Sequence, residues 1–258
     1  MSTQQEKMPS LFKRVFYPRH EGPYKVFMEY ARVIGVALLI AFVFRTFVAS
    51  PYKIPSSSMM PTLLVGDYLF VSKYSYGLPI LFTDGDRVNE VLPERGDIIV
   101  FKKHLPRGGE QNYIKRVIGV PGDMLAYRNK QVILNGEPLA LNDVKTHTYE
   151  YHGETIETAR YTETLVDMQH PVLHQAVEGQ DVEPMRVPPN HLVVMGDNRD
   201  SSYDSRFWHY PGWGYVSMDD VVGRAEFIFW SWDEHFQPRL ERIGTSLRKV
   251  ILKDEKDS

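Results

Sequence analysis

Apolar positions in this chain fall into one long unbroken run followed by a series of short ones. Val33 to Phe44 is uninterrupted, and after Arg45 and Thr46 the run resumes as Phe47-Val48-Ala49. A membrane-spanning helix needs roughly 20 mostly apolar residues. Residues 26–49 reach that length if Glu29, Arg32 and Arg45 sit near the two headgroup regions, so a transmembrane helix is expected there. Two alternatives are a buried soluble helix and a cleavable leader, for which Val48-Ala49-Ser50 offers small residues. The long stretch ahead of the run and Pro51 just after it count against a leader. Lys7, Lys13, Arg14, Arg19, Lys25 and Arg32 outnumber Glu6, Glu21 and Glu29, which predicts a cytoplasmic arm over residues 1–25 and an exported remainder.

Beyond the run the apolar pattern is short and strand-like. Tyr68–Val71, Asp97–Phe101, Tyr113–Val120, Gln131–Leu134 and His191–Met195 are rich in β-branched and aromatic residues. Turn signals such as Arg95-Gly96-Asp97, Pro121-Gly122-Asp123 and Asn135-Gly136 bound them. No long helical period appears between residues 55 and 235, so a mainly β body of partly open barrel type is expected, its core from residues 50–123 and 191–235. Residues 124–190 carry little apolar periodicity and read as an inserted β subdomain or ribbon. Their His147, His152, His170 and His174 read as surface histidines, since no HExxH occurs and Pro171 separates the last two. In residues 236–258, Leu240, Ile243, Leu247 and Ile251 share a helical face among basic residues. This predicts an amphipathic helix, either lying on anionic lipid or packed on the domain.

Composition narrows the classes. The 258 residues have 43% hydrophobic and 24% charged positions and a formal charge of −3. That balance, without a helix-turn-helix or zinc pattern, gives no argument for nucleic acid. With no cysteine there is no disulfide, thiolate metal site or cysteine nucleophile.

The chemistry is concentrated in three polar clusters. Ile54-Pro55-Ser56-Ser57-Ser58-Met59-Met60-Pro61-Thr62-Leu63 suits neither a helix nor a strand interior, because proline fixes φ and the serines compete for backbone hydrogen bonds. It reads as a rigid segment presenting a hydroxyl. A serine is a weak nucleophile until a base takes its proton. No histidine stands in a convincing triad context, but a lysine serves if burial depresses its pKa. Lys115, amid Tyr113, Ile114, Val117 and Ile118, has such surroundings; alone it would read as a solvated strand lysine. The third cluster, Gly196-Asp197-Asn198-Arg199-Asp200 through Arg206, packs carboxylates, guanidiniums and hydroxyls together. It reads largely as a salt-bridged scaffold, with Ser202 reaching the site.

The first segment with Gly66-Asp67, then Arg95–Phe101, Tyr113–Asp123 and Gly196–Arg206, stand in an order that closely resembles bacterial type I signal peptidase, a Ser-Lys serine protease family. The resemblance spans most of residues 50–225 and implies a signal-peptidase/LexA-like β core. By that resemblance Ser58 would be the nucleophile and Lys115 the general base. Ser202 would orient the lysine, and the Ser58 N–H with the Ser56 hydroxyl would form the oxyanion hole. Tyr52, Ile54, Met59, Leu63, Leu69, Tyr113 and Ile114 would line substrate pockets, with core packing as their competing role. The implied substrates are secretory preproteins with small residues one and three positions before the cut, bound as an extended strand. No metal or organic cofactor is implied. The lipid bilayer and the secretion translocon are the other expected partners, at the outer face of the cytoplasmic membrane. Tyr74–Phe82 and Phe227–Trp232 are further candidates for seating the domain on that surface. Ser57 replaces a glycine common in the family, one spanning segment appears where better-known members carry two, and the insertion lacks the cysteine pair of some relatives.

Rival readings fit less well. Self-cleaving repressors share the Ser-Lys mechanism but need a soluble DNA-binding domain where this chain has its apolar run. Ser50-Pro51-Tyr52-Lys53 satisfies S-x-x-K, yet no K-T-G follows and proline is awkward in the required helix. A catalytically inactive, membrane-anchored scaffold of the same fold is the non-enzymatic alternative.

Overall fold

The computed structural model describes residues 22–43, 49–79, 87–105, 108–151, 153–209 and 212–248. The chain separates into two units, Met1–Val48 and Ala49–Ser258. Within the first, α1 spans Pro23–Val43 and exposes Phe27, Ile34, Leu38, Leu39 and Ile40. Among the described residues no helix is long and apolar enough to cross a membrane. Residues 44–48 of the expected 26–49 span lie outside the described ones. Ala49 at its end belongs to a strand and pairs with Ser72.

The second unit is built from strands, as the short β-branched runs require. They are β1 (Ala49–Lys53), β2 (Asp67–Ser72), β3 (Leu78–Pro79), β4 (Arg87–Val88), β5 (Ile98–His104), β6 (Glu110–Gly119), β7 (Met124–Arg128) and β8 (Gln131–Leu134). After them come β9 (Glu137–Pro138), β10 (Leu141–Tyr151), β11 (Glu154–Leu165), β12 (Met168–His174), β13 (Val182–Arg186), β14 (His191–Met195), β15 (Val216–Ser217) and β16 (Val221–Ser231). A seven-stranded sheet runs β1-β2-β16-β5-β6-β14-β15. Residues 124–186 supply two further sheets, β10-β11-β12 and β13-β7-β8-β9, and β3-β4 form a small ribbon.

Two apolar clusters matter for the site. Ile54, Met59, Leu63 and Leu69 pack with Val71, Ile98, Val100, Ala225 and Ile228 beneath the serine segment. Ile118 of β6 and Val193 and Met195 of β14 pack with Leu125, Tyr127, Leu165, Met168 and Trp213, joining the main sheet to the inserted strands.

The C-terminal helix expected over residues 236–258 is corrected for the described part. Only Leu240–Arg242 form a 3-10 turn, and Gly244 has φ +84°, a left-handed conformation that stops a helix. The chain then runs alongside β16, through Ile228 N–H to Thr245 O at 3.0 Å and Leu247 N–H to Glu226 O at 2.8 Å. Leu247 is core, while Leu240 and Ile243 are exposed; Ile251 lies outside the described residues. His170 and His174, expected on the surface, are buried, because their strand β12 packs on the Gly196–Arg206 loop.

Candidate active site

Ser58 lies in a 3-10 turn, Ser57–Met59. Pro55 and Pro61 bracket it, and the Met59 side chain is sunk in the core. This anchors the turn from below. Lys115 is on β6, where Ile99 of β5 opposes it. Its Nζ stands 2.6 Å from Ser58 Oγ, and both residues are buried. Ser56 Oγ is 3.4 Å from Ser58 Oγ, at the outer limit of a hydrogen bond.

Burial dominates the electrostatics of Lys115. Desolvation pushes its ammonium down to about 8, while the Asp204 and Asp197 carboxylates pull it up and Arg206 opposes them. Asp204 and Asp197 are themselves buried, which alone would raise their carboxyls, but Arg206 and Arg116 respectively hold both below the ordinary range. The base is therefore surrounded by charges already compensated: Arg116 with Asp197 and Arg206 with Asp204. Arg199 in turn is paired by two nitrogens with Glu163, and Arg206 Nη2 donates to the Arg199 carbonyl at 2.6 Å. The buried charges of this loop are thus paired with one another, as burial demands.

Ser202 is brought to the same place but not into the expected bond. It is buried against Gly196: a Cβ on Gly196 would lie 2.3 Å from Ser202 Oγ and 2.4 Å from the Ser58 carbonyl. The Ser202 hydroxyl helps hold Asp204 low yet makes no well-formed hydrogen bond, so its expected bond to Lys115 is not formed here. The pocket residues divide. Ile54, Met59, Leu63 and Leu69 are sealed in the core and support the site from beneath. Tyr52, Tyr113 and Ile114 are half-buried and retain surface for a ligand.

Other residues were not singled out from sequence. Asn198 donates its backbone N–H to the Ser58 carbonyl at 3.1 Å and its Nδ2 to the Ser57 carbonyl at 3.2 Å, so it clamps the serine turn. Thr62 donates to Asp197, closing the turn against the same loop. Gly196 allows the close approach. The only sequence signal for these was membership of the two clusters, which named the region without assigning roles. Glu163, from the inserted strands, gave no signal.

A hydroxyl held against a buried lysine of depressed pKa can be deprotonated at near-neutral pH, which is the requirement of acyl transfer through serine. Comparison with known proteins points the same way. Signal peptidase I of Pseudomonas fluorescens is 35% identical over 239 residues, covering 88% of this chain and 79% of that protein. Its counterpart in Pseudomonas aeruginosa is 36% identical over 231 residues, covering 84% and 78%. A crystal structure of a signal peptidase I from Enterococcus faecalis V583 matches 52% of this chain and 97% of that one, at 27% identity and a TM-score of 0.29; at that score it supports no statement about the fold. The model of the family described as signal peptidase, peptidase S26, matches residues 27–230, and this chain belongs to that family of serine endopeptidases.

Proposed function

We propose that the chain is a membrane-anchored endopeptidase that removes N-terminal signal peptides from exported preproteins at Ala-x-Ala type sites. Ser58 is the nucleophile and Lys115 its general base. The observation that carries this reading is the 2.6 Å approach of Lys115 Nζ to Ser58 Oγ inside a shell of paired charges. Neutral Lys115 accepts the Ser58 proton as Oγ attacks the scissile carbonyl. The resulting ammonium passes that proton to the departing amine, leaving an ester on Ser58. Lys115, neutral again, then takes a proton from water as the hydroxide so formed attacks the ester. The ammonium returns that proton to the departing Ser58 Oγ, and the signal peptide leaves as an acid that ionises in solvent. The Ser58 N–H and the Ser56 hydroxyl receive the oxyanion; one such donor is worth on the order of 3 kcal/mol. Once Ser58 Oγ is esterified Lys115 loses its partner, and the unpaired hydroxyl of Ser202 supplies another. This chemistry requires no metal or organic cofactor.

Anchoring rests on the apolar run of residues 26–49 and on the apolar side chains that α1 exposes. The basic arm ahead of it places the catalytic unit at the outer face of the cytoplasmic membrane, within reach of the bilayer, the translocon and emerging preproteins.

The test is cleavage of a preprotein whose signal ends in Ala-x-Ala, in detergent with EDTA, by wild type, Ser58→Ala and Lys115→Ala. Wild type should cut after the second alanine, and both variants should be folded and inactive. Full activity of Lys115→Ala would remove the assigned base. An inert wild type would favour the scaffold alternative.

A further inference from the structure

The outer end of β10, at Tyr149, lies against the catalytic loop. Tyr149 Oη accepts from Asn198 Nδ2 at 2.8 Å and stands 3.3 Å from Ser201 Oγ. The same Asn198 nitrogen donates to the Ser57 carbonyl, so one amide links this end of β10 to the residue before Ser58. Between this end of the β10–β11 hairpin and the edge of the main sheet lies a cleft of about 810 Å³, a size that takes a short stretch of peptide. Pro55, Met60 and Tyr68 form its opposite wall, and the turn Trp232–Phe236 closes its far end.

Three features bear on what the cleft holds. Its lining includes Pro55 and Met60, which flank the serine turn, so it lies beside the site. That lining is rich in aromatics: Tyr68, Tyr149, Tyr151 and Trp232 are half-buried, and Phe236 is 80% exposed. The lining also mixes signs, with Lys53 and Arg239 alongside Glu150, Asp233 and Glu234, a balance that suits a peptide's backbone and apolar side chains more than a strong net charge. Successive residues of an extended segment point to opposite sides. Lys53 and Pro55 therefore face the cleft, while Tyr52 and Ile54 pack into the apolar cluster on the other side. The cleft is thus separate from the surface offered by Tyr52, Tyr113 and Ile114.

We propose that this cleft seats the extended substrate chain just downstream of the scissile bond, with that end of the hairpin as its outer wall and Phe236 as its end contact. The inference rests on the cleavage reading above. A chain crossing Ser58 has residues on both sides of the cut. With the upstream ones given to the Tyr52, Tyr113 and Ile114 side, the aromatic cleft remains for the first residues of the mature protein.

The test uses the full chain in detergent and two fluorogenic peptides identical through the second residue after the cut. One stops there; the other continues for four small and apolar residues. The longer peptide should show kcat/KM about tenfold higher, the gain from burying roughly one apolar side chain. That ratio should fall toward one in Phe236→Ala and in Tyr149→Ala. Equal rates for both peptides in wild type would overturn the proposal, as would variants that instead abolish the benefit of an upstream extension. A second measurement does not depend on turnover. Ser58→Ala is irradiated with the longer peptide carrying benzophenone four residues after the cut, and adducts are mapped by mass spectrometry. Adducts on Thr148–Gly153 or Trp232–Phe236 support the cleft even if neither peptide is cut, in which case only the cleavage reading falls. Adducts confined to other segments overturn it.

Discussion

Arg116 grips Asp197 with two nitrogens, Nε to Oδ1 at 2.8 Å and Nη2 to Oδ2 at 2.7 Å, and both side chains are buried. Arg116 follows Lys115 on β6, and Asp197 precedes Asn198, the clamp on the serine turn. The pair therefore fixes base and nucleophile loop to each other. Removing one partner of a buried ion pair leaves an uncompensated charge and costs about 3–5 kcal/mol. Asp197→Ala should lower the urea midpoint by a corresponding amount and abolish most of the activity. A midpoint within experimental error of wild type would show that the pair does not hold the site together.

Activity should depend on pH through Lys115. The base acts as the neutral amine, and burial brings its pKa down to about 8 against the pull of Asp204 and Asp197. The rate constant kcat/KM should rise with unit slope below pH 8 and level off above it. A profile flat between about pH 6 and 9 would exclude Lys115 as the base.

The same group should weaken the fold at neutral pH. Its folded pKa is depressed from 10.5 to about 8, so its contribution favours the fold above the unfolded value and is lost as pH falls from 10.5 to 8. Below that window both states are charged and the folded one carries the full desolvation penalty, on the order of 3 kcal/mol. Lys115→Met should be inactive yet more resistant to urea than wild type at pH 7, with the difference shrinking toward pH 10.5. A variant less stable than wild type at pH 7 would contradict this account.

How much of this was legible in the sequence follows from the range of the interactions. The serine segment and Lys115 could be read because each lies in a local pattern, prolines around hydroxyls and a cation inside an apolar strand. The strands could be read for the same reason. The residues 236–248 misled because Leu240, Ile243 and Leu247 do share a helical period, but hydrogen bonds to β16 override the local preference. His170 was read as exposed because nothing near it in sequence announces its neighbours. It lies beside Glu163 at 3.3 Å, and that carboxylate serves Arg199, 36 positions further along. Long-range ion pairs leave no periodic trace in a single chain, so the coupling of the inserted strands to the catalytic loop was invisible.

Gly196 tests the close packing of that loop. An added Cβ would meet Ser202 Oγ at 2.3 Å and the Ser58 backbone carbonyl at 2.4 Å, and the backbone contact cannot swing aside as a side chain can. Gly196→Ala should cost about 1–3 kcal/mol from overpacking. It should also lower kcat by tenfold or more, since it displaces the nucleophile's own backbone and misplacement on the scale of 1 Å is enough to do so. Unchanged kcat with unchanged stability would mean that the loop relaxes freely around the methyl group.

Glu163 carries the last prediction, because it ties β11 to Arg199 and through the Arg199 carbonyl to Arg206. Both Glu163 and Arg199 are fully sealed from solvent. Burial alone would raise the Glu163 carboxyl, but the Arg199 guanidinium and His170 beside it hold it far below the ordinary carboxylate range. A carboxylate with a depressed folded pKa stabilises the fold above its unfolded value, and that contribution is lost as the solution is acidified. Glu163→Gln keeps the shape and removes the charge, leaving Arg199 buried without a counterion. The expected loss is about 3–5 kcal/mol at pH 7, narrowing in acid as wild type also protonates. Because Arg206 and Asp204 sit beyond Arg199 and act on Lys115, the acidic limb of the activity profile should move as well. A variant with reduced stability but an unshifted limb would confine Glu163 to holding the inserted strands in place; a shifted limb would show that they tune the base.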